Sequence, residues 1–168
     1  MDKIIDPSHA MKMTKEYDLN VALKNGKKGT SLYAIKPIKA GNIIAYYKFL
    51  IYKDGYNGVD NNKYTMGVYK KNNMINMKLI GDIYEGSLEF PKYNIPFWGY
   101  FANEPSPGEK SNCIIDANIK GNYKNRNTVY EGDTMVYKLI AKTNIKPGDE
   151  IVWYYGNLYT RDYEVNLE

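Results

Sequence analysis

The chain has 168 residues, 43% hydrophobic and 25% charged, with a formal net charge of +4 at neutral pH. That length suits one domain with a real core, and the single cysteine, Cys113, excludes an internal disulfide and a cysteine-cluster zinc site. Every apolar run is shorter than a membrane span, the opening residues lack a leader's apolar core, and the lysines are spread rather than clustered as in a nucleic-acid groove. These features predict an intracellular protein with no membrane contact and no direct nucleic-acid partner.

Residues 1–16 carry the weakest pattern and read as an N-terminal extension. Pro7-Ser8-His9-Ala10 predicts a short helix capped by Ser8. His9 is the only histidine, so a histidine dyad or metal site would have to use this near-terminal residue. Residues 17–23 predict a strand and residues 25–29 a loop. Two glycines among lysines there suggest a phosphate loop, but the Gly-Lys-Ser/Thr ending is missing.

Residues 34–44 read A-x-x-x-I-K-x-G-x-x-I, and residues 141–151 read the same. An echo that occurs only twice, far apart, predicts two similar strand-turn-strand corners rather than a solenoid. Residues 45–52 form an aromatic strand pattern, and residues 54–63 a polar, glycine-rich loop. Residues 64–69 and 77–83 predict a strand pair. Asp82, Glu85 and Glu89 gather nearby, suited to a basic peptide or simply to a solvated surface. In IPFWGYFAN, residues 95–103, Trp98, Tyr100 and Phe101 are core candidates. Strand and turn continue from Ile114, with a polar hairpin tip over residues 121–127. Residues 135–141 predict a strand, Pro147-Gly148 a tight turn, and residues 150–155 a second strand stopped by Gly156.

Three stretches carry a family likeness. The run I-x-x-G-D-E-I-x-x-x-Y-G, residues 145–156, resembles the closing motif of SET-domain protein lysine methyltransferases. Lys28-Gly29-Thr30-Ser31-Leu32-Tyr33-Ala34, continued by Ile38-Lys39-Ala40-Gly41-Asn42-Ile43-Ile44, resembles the family's opening glycine loop, strand and turn. Tyr100-Phe101-Ala102-Asn103 with Asn112-Cys113 resembles its asparagine motif. The three stand in the family's order and together cover most of the chain.

The resemblance implies a mostly-β fold of the β-clip type, with several small sheets and short helices around a knot-like crossing of chain segments. The SET domain would span residues 17–156, with a variable substrate-side insert over residues 52–96. Residues 157–168 would form a tail closing the lysine channel. The implied cofactor is S-adenosylmethionine, held by Gly29, Thr30, Ser31, Leu32, Tyr100, Asn103 and Asn112; no metal is implied. Tyr155 takes the catalytic place, and Tyr47, Trp153 and Tyr159 the substrate channel. The alternatives are core positions for Tyr47 and Trp153, a surface aromatic for Tyr159, and ordinary turn asparagines for Asn103 and Asn112. The implied substrate is a basic protein or peptide such as a histone tail, which places the enzyme, a monomer or homodimer, in a nucleus or host nucleus. Richness in lysine, asparagine, isoleucine and tyrosine fits an AT-rich genome, and a stand-alone domain fits a virus or microbe.

The chain departs from the family in two places. G-x-G has become Gly29-Thr30-Ser31, and the motif histidine after Asn103 is missing, with the two asparagines farther apart. That spacing resembles the PR subclass, so a PR-like peptide-binding module without catalysis is a second reading. An unrelated β-clip domain is a third.

Methyl transfer from a sulfonium to an amine is an in-line displacement that needs a neutral, aligned amine. A free lysine, with a pKa of ~10.4, is driven toward neutrality by a dry aromatic channel and a neighbouring sulfonium. No histidine base is required. Trp153, two places before Tyr155, is larger than the phenylalanine or tyrosine found there in the family, which implies a monomethyl product.

Overall fold

A computed structural model describes residues 7–53, 66–68, 79–83, 94–116, 132 and 134–155. Helix α1 spans Pro7–Glu16. Proline suits a first helical turn, where its missing amide would have no partner, and Ser8 lies inside the helix instead of capping it. Ala10 and Met13, neighbours on one helical face, are buried in the main core. The strand expected over residues 17–23 starts only at Val21. Asp18 takes a left-handed φ of 51°, and the Leu19 N–H returns to the Thr14 carbonyl at 3.0 Å, so residues 17–20 turn.

Strands β1 (Val21–Gly26) and β2 (Gly29–Ala34) form an antiparallel pair with Gly26 opposite Gly29. The loop expected over residues 25–29 is thus a tight turn at Lys27 and Lys28. Five further strands, β3 (Ile43–Lys53), β4 (Met66–Val68), β5 (Leu79–Ile83), β6 (Cys113–Asp116) and β7 (Thr134–Ala141), make a second sheet in the order β4-β5-β3-β7-β6. All its pairings are antiparallel. The fold is therefore mostly β in small sheets, as expected. The aromatic strand is its centre: Ala45, Tyr47 and Ile51 alternate into the core, and Tyr47 stands opposite the equally buried Tyr137.

A 3-10 turn, Gly99–Phe101, packs against β3 and buries Tyr100 and Phe101 beside the fully enclosed Trp98. A side chain at 99 would be crowded. A Cβ there would lie 3.0 Å from both the Tyr46 carbonyl oxygen and the Tyr47 Cβ.

The two echoed segments meet each other. Ile38 and Ile145 bond reciprocally, and the backbone bonds on either side come in matched pairs. The Ala34 N–H reaches the Asp149 carbonyl as Ala141 reaches Asn42, both at 2.9 Å. Gly148 reaches Ala34 as Gly41 reaches Ala141, at 2.7 and 2.8 Å. The second strand expected over residues 150–155 forms only isolated bridges, at Glu150 and Val152, and the Gly148 N–H of the expected turn reaches Ala34 in the first corner. The chain then runs on as a single extended thread.

The loop over residues 54–63, the hairpin tip over 121–127, Glu85, Glu89, Gly156, Tyr159 and the tail lie outside the described residues.

Candidate active site

The thread over residues 149–155 passes between β2 and the asparagine loop and is held on both sides. On one side the Ile151 N–H donates to the Leu32 carbonyl at 2.8 Å, and Glu150 bridges to Tyr33. On the other, the Trp153 N–H donates to the Asn103 carbonyl at 2.9 Å within a parallel bridge between Asn103 and Val152. Asn112 closes the crossing with both ends of its side chain: Nδ2 donates to the Glu150 carbonyl at 2.8 Å, and Oδ1 accepts from the Val152 N–H at 3.0 Å. The buried Cys113 Sγ donates to the Val152 carbonyl at 3.2 Å. Burial pushes this thiol far above its usual range, with Lys142 opposing the shift.

Tyr155 stands where the thread leaves the crossing. Its hydroxyl donates to the Ala102 carbonyl at 2.7 Å, and its backbone N–H donates to Glu104 Oε2 at 2.8 Å. The Trp153 ring lies 4.8 Å from the Tyr155 ring, tilted by 59°. Trp153 is only 9% exposed and belongs to the core cluster. Its indole N–H is buried without a hydrogen-bond partner among the described residues. Tyr47 and Tyr100 meet edge to face at 4.6 Å, and the Tyr100 hydroxyl donates to the Lys48 carbonyl.

The opening motif joins this cluster through Ser31. Asn103 Nδ2 donates to Ser31 Oγ at 2.7 Å and to Glu150 Oε2 at 3.5 Å, and the Ser31 hydroxyl donates to the Gly29 carbonyl at 3.3 Å. Gly29, with φ of 89°, needs the freedom of glycine for the turn. Lys28 ties the motifs together: its ammonium donates to the Glu104 carbonyl at 2.9 Å and pairs with Glu109 at 3.1 Å and Glu150 at 3.6 Å. Burial pushes the Glu109 carboxyl up, but bonds from Ser106 and the Lys28 charge outweigh it and hold the group below its ordinary range. The Tyr33 hydroxyl is pushed up by burial and by the charges of Glu150 and Glu109.

Of the residues singled out in the sequence, Ser31, Asn103, Asn112, Trp153 and Tyr155 come together at the crossing. Tyr47, on β3, and Tyr100, in the 3-10 turn packed against it, meet in the core. Thr30 does not join them; its hydroxyl bonds Asn25 across the hairpin at 3.3 Å. The Leu32 side chain is wholly in the core, and only its carbonyl reaches the thread. Sequence reasoning missed Glu104, Glu109, Glu150 and the clasping role of Lys28. The one local signal was that Glu104 directly follows Asn103, in the place of the missing histidine.

The chain matches no family model and no curated protein. Among solved structures it is similar to a Plasmodium falciparum protein assigned as a histone methyltransferase, with 18% identity, a TM-score of 0.50, and 84% of this chain and 96% of that one covered. It is also similar to ATXR5 in complex with histone H3.1 mono-methylated on an arginine, with 16% identity and a TM-score of 0.54. There 94% of this chain is covered, and it spans 66% of the ATXR5 chain. The ATXR5 SET domain bound to di-methylated histone H3 matches with the same identity and TM-score. The chain has the SET fold.

Proposed function

We propose that this chain is an S-adenosylmethionine-dependent methyltransferase of protein lysine side chains, with a histone tail as substrate. The observation that carries the reading is the Tyr155 hydroxyl, 2.7 Å from the Ala102 carbonyl, at the point where all three motifs converge. The likeness to ATXR5 held with histone H3 supports the choice of peptide. A histone substrate places the protein in a nucleus, its own or a host's.

The residues present suit the cofactor. The Ser31 hydroxyl and the indole N–H of Trp153, which has no hydrogen-bond partner among the described residues, are polar groups for a ligand rich in carboxylate and ring nitrogen. The oxygens of Tyr155 and Ala102 offer negative partial charge toward a cation. When bound, S-adenosylmethionine supplies an electrophilic methyl group on a sulfonium. The chain's own residues prepare the nucleophile. The Tyr155 hydroxyl donates to Ala102, and a hydroxyl oxygen is also an acceptor for an amine N–H, a contact that would turn the amine's own lone pair away from the ring. Trp153 withholds water, and a lysine carried beside it loses its proton to solvent before transfer because desolvation disfavours the ammonium.

Tritiated S-adenosylmethionine incubated with mixed core histones is expected to label a lysine, with cofactor binding followed by calorimetry. One observation favours a peptide-binding module instead: the Asn103 amide already spends its hydrogens on Ser31 and Glu150. A folded protein that binds histone peptides but transfers no label would decide for that second reading.

A further inference from the structure

Glu104 is 3% exposed, an unusual place for a carboxylate. Burying a charge is costly unless it is hydrogen-bonded, and one of the bonds this carboxylate accepts comes from the Tyr155 backbone. The parallel bridge between Asn103 and Val152 delivers the Trp153 N–H to the Asn103 carbonyl. Had the ladder continued, the next inward N–H, that of Tyr155, would have met the carbonyl of residue 105. Instead the chain departs at Pro105, and Glu104 Oε2 accepts the Tyr155 N–H at 2.8 Å. The side chain stands in for the absent rung.

We propose that Glu104 is a positioning residue that sets the Tyr155 hydroxyl in place for methyl transfer; this rests on the function proposed above. Two bonds on one short segment, Glu104 to the Tyr155 N–H and the Ala102 carbonyl to the Tyr155 hydroxyl, fix the residue at both ends. The same segment is gripped from behind, since the Lys28 ammonium donates to the Glu104 carbonyl at 2.9 Å. The glycine turn and the tyrosine are thereby coupled through Glu104. Releasing the backbone end lets the hydroxyl wander, and a misplacement on the order of 1 Å costs about 100-fold in rate.

Two substitutions separate reach from charge. Glu104→Gln keeps the length and an acceptor oxygen, while Glu104→Asp keeps the charge but falls short of the Tyr155 N–H. With histone and cofactor, kcat of Glu104→Gln is expected within about threefold of wild type. For Glu104→Asp it is expected to fall about 30-fold or more, with cofactor affinity changed less than about threefold. By NMR, amide exchange at Tyr155 stays slow in Glu104→Gln and becomes fast in Glu104→Asp. An Asp variant with wild-type kcat, or Gln and Asp variants equally impaired, would overturn the proposal. If the wild type transfers no methyl at all, the proposed function falls, and the exchange measurement alone decides whether Glu104 holds Tyr155: equal protection in wild type and Glu104→Asp says that it does not. Should Glu104→Asp fail to fold, Lys28→Met replaces it. Faster exchange at Tyr155 supports the coupling, and unchanged exchange overturns it.

Discussion

Ile38 and Ile145 exchange both of their backbone hydrogen bonds, at 3.0 and 2.8 Å, on the axis of a local two-fold. Each corner ends in a glycine of nearly the same conformation, Gly41 with φ of 89° and Gly148 with φ of 92°. A Cβ at either position would touch nothing within 4 Å, so a side chain there costs backbone strain and no clash. Gly41→Ala and Gly148→Ala are therefore expected to destabilise the fold by similar amounts, about 1–2 kcal/mol each. Chemical denaturation measures both. Costs differing by more than about 1 kcal/mol would show that the two corners are not equivalent in energy.

Asn112 holds the thread by bonds from both ends of its side chain, and Asn112→Ala leaves the Val152 N–H and the Glu150 carbonyl unpaired. At about 1–3 kcal/mol for each part-buried group, the variant should lose about 2–6 kcal/mol of unfolding free energy. A loss under about 0.5 kcal/mol would mean that solvent reaches the crossing.

Tyr155→Phe keeps the ring against Trp153 and removes only the hydroxyl that donates to Ala102. Methyl transfer should fall steeply while the melting temperature and cofactor affinity stay near wild type. Turnover within about threefold of wild type, a barrier change of only ~0.7 kcal/mol, would remove Tyr155 from the chemistry.

Trp153 both closes the core and stacks beside Tyr155. If it also crowds the lysine nitrogen, wild type should yield mainly monomethyl-lysine, and Trp153→Phe should shift the product toward di- and trimethyl-lysine. The smaller ring also leaves a void, costing about 1 kcal/mol or more. Mass spectrometry of a methylated peptide resolves the first effect. Dominant trimethylation by wild type would end the crowding argument.

Glu109 links the clasp to acid stability. Its folded carboxyl is held below the ordinary value of 4.5, so its stabilisation is present above that pH and lost as pH falls through the folded value. The gain is small, because the side chain is 42% exposed and the Lys28 pair is screened by solvent. Glu109→Gln should flatten the acid limb of the stability curve between about pH 5 and pH 3. Parallel curves for variant and wild type across that window would show that the clasp contributes nothing.

The sequence by itself determined what depends on neighbours along the chain. The aromatic run marked β3 and the apolar run marked β7; Trp98, Tyr100 and Phe101 were legible as buried anchors because large apolar side chains leave water wherever the chain allows, whereas Tyr47 read equally as channel or core. The repeated pattern at Ile38 and Ile145 announced two like corners, but not that they bond to each other. Hydrogen-bond partners remote in sequence were decided only by the tertiary structure. The residues after Pro147-Gly148 read as a second strand, yet an extended segment pairs with whichever edge the fold brings alongside, and here that is β2 and the asparagine loop. Glu104 reads as a surface charge beside a proline. It became buried because the thread left one amide without a rung and a carboxylate of the right length stood next to it.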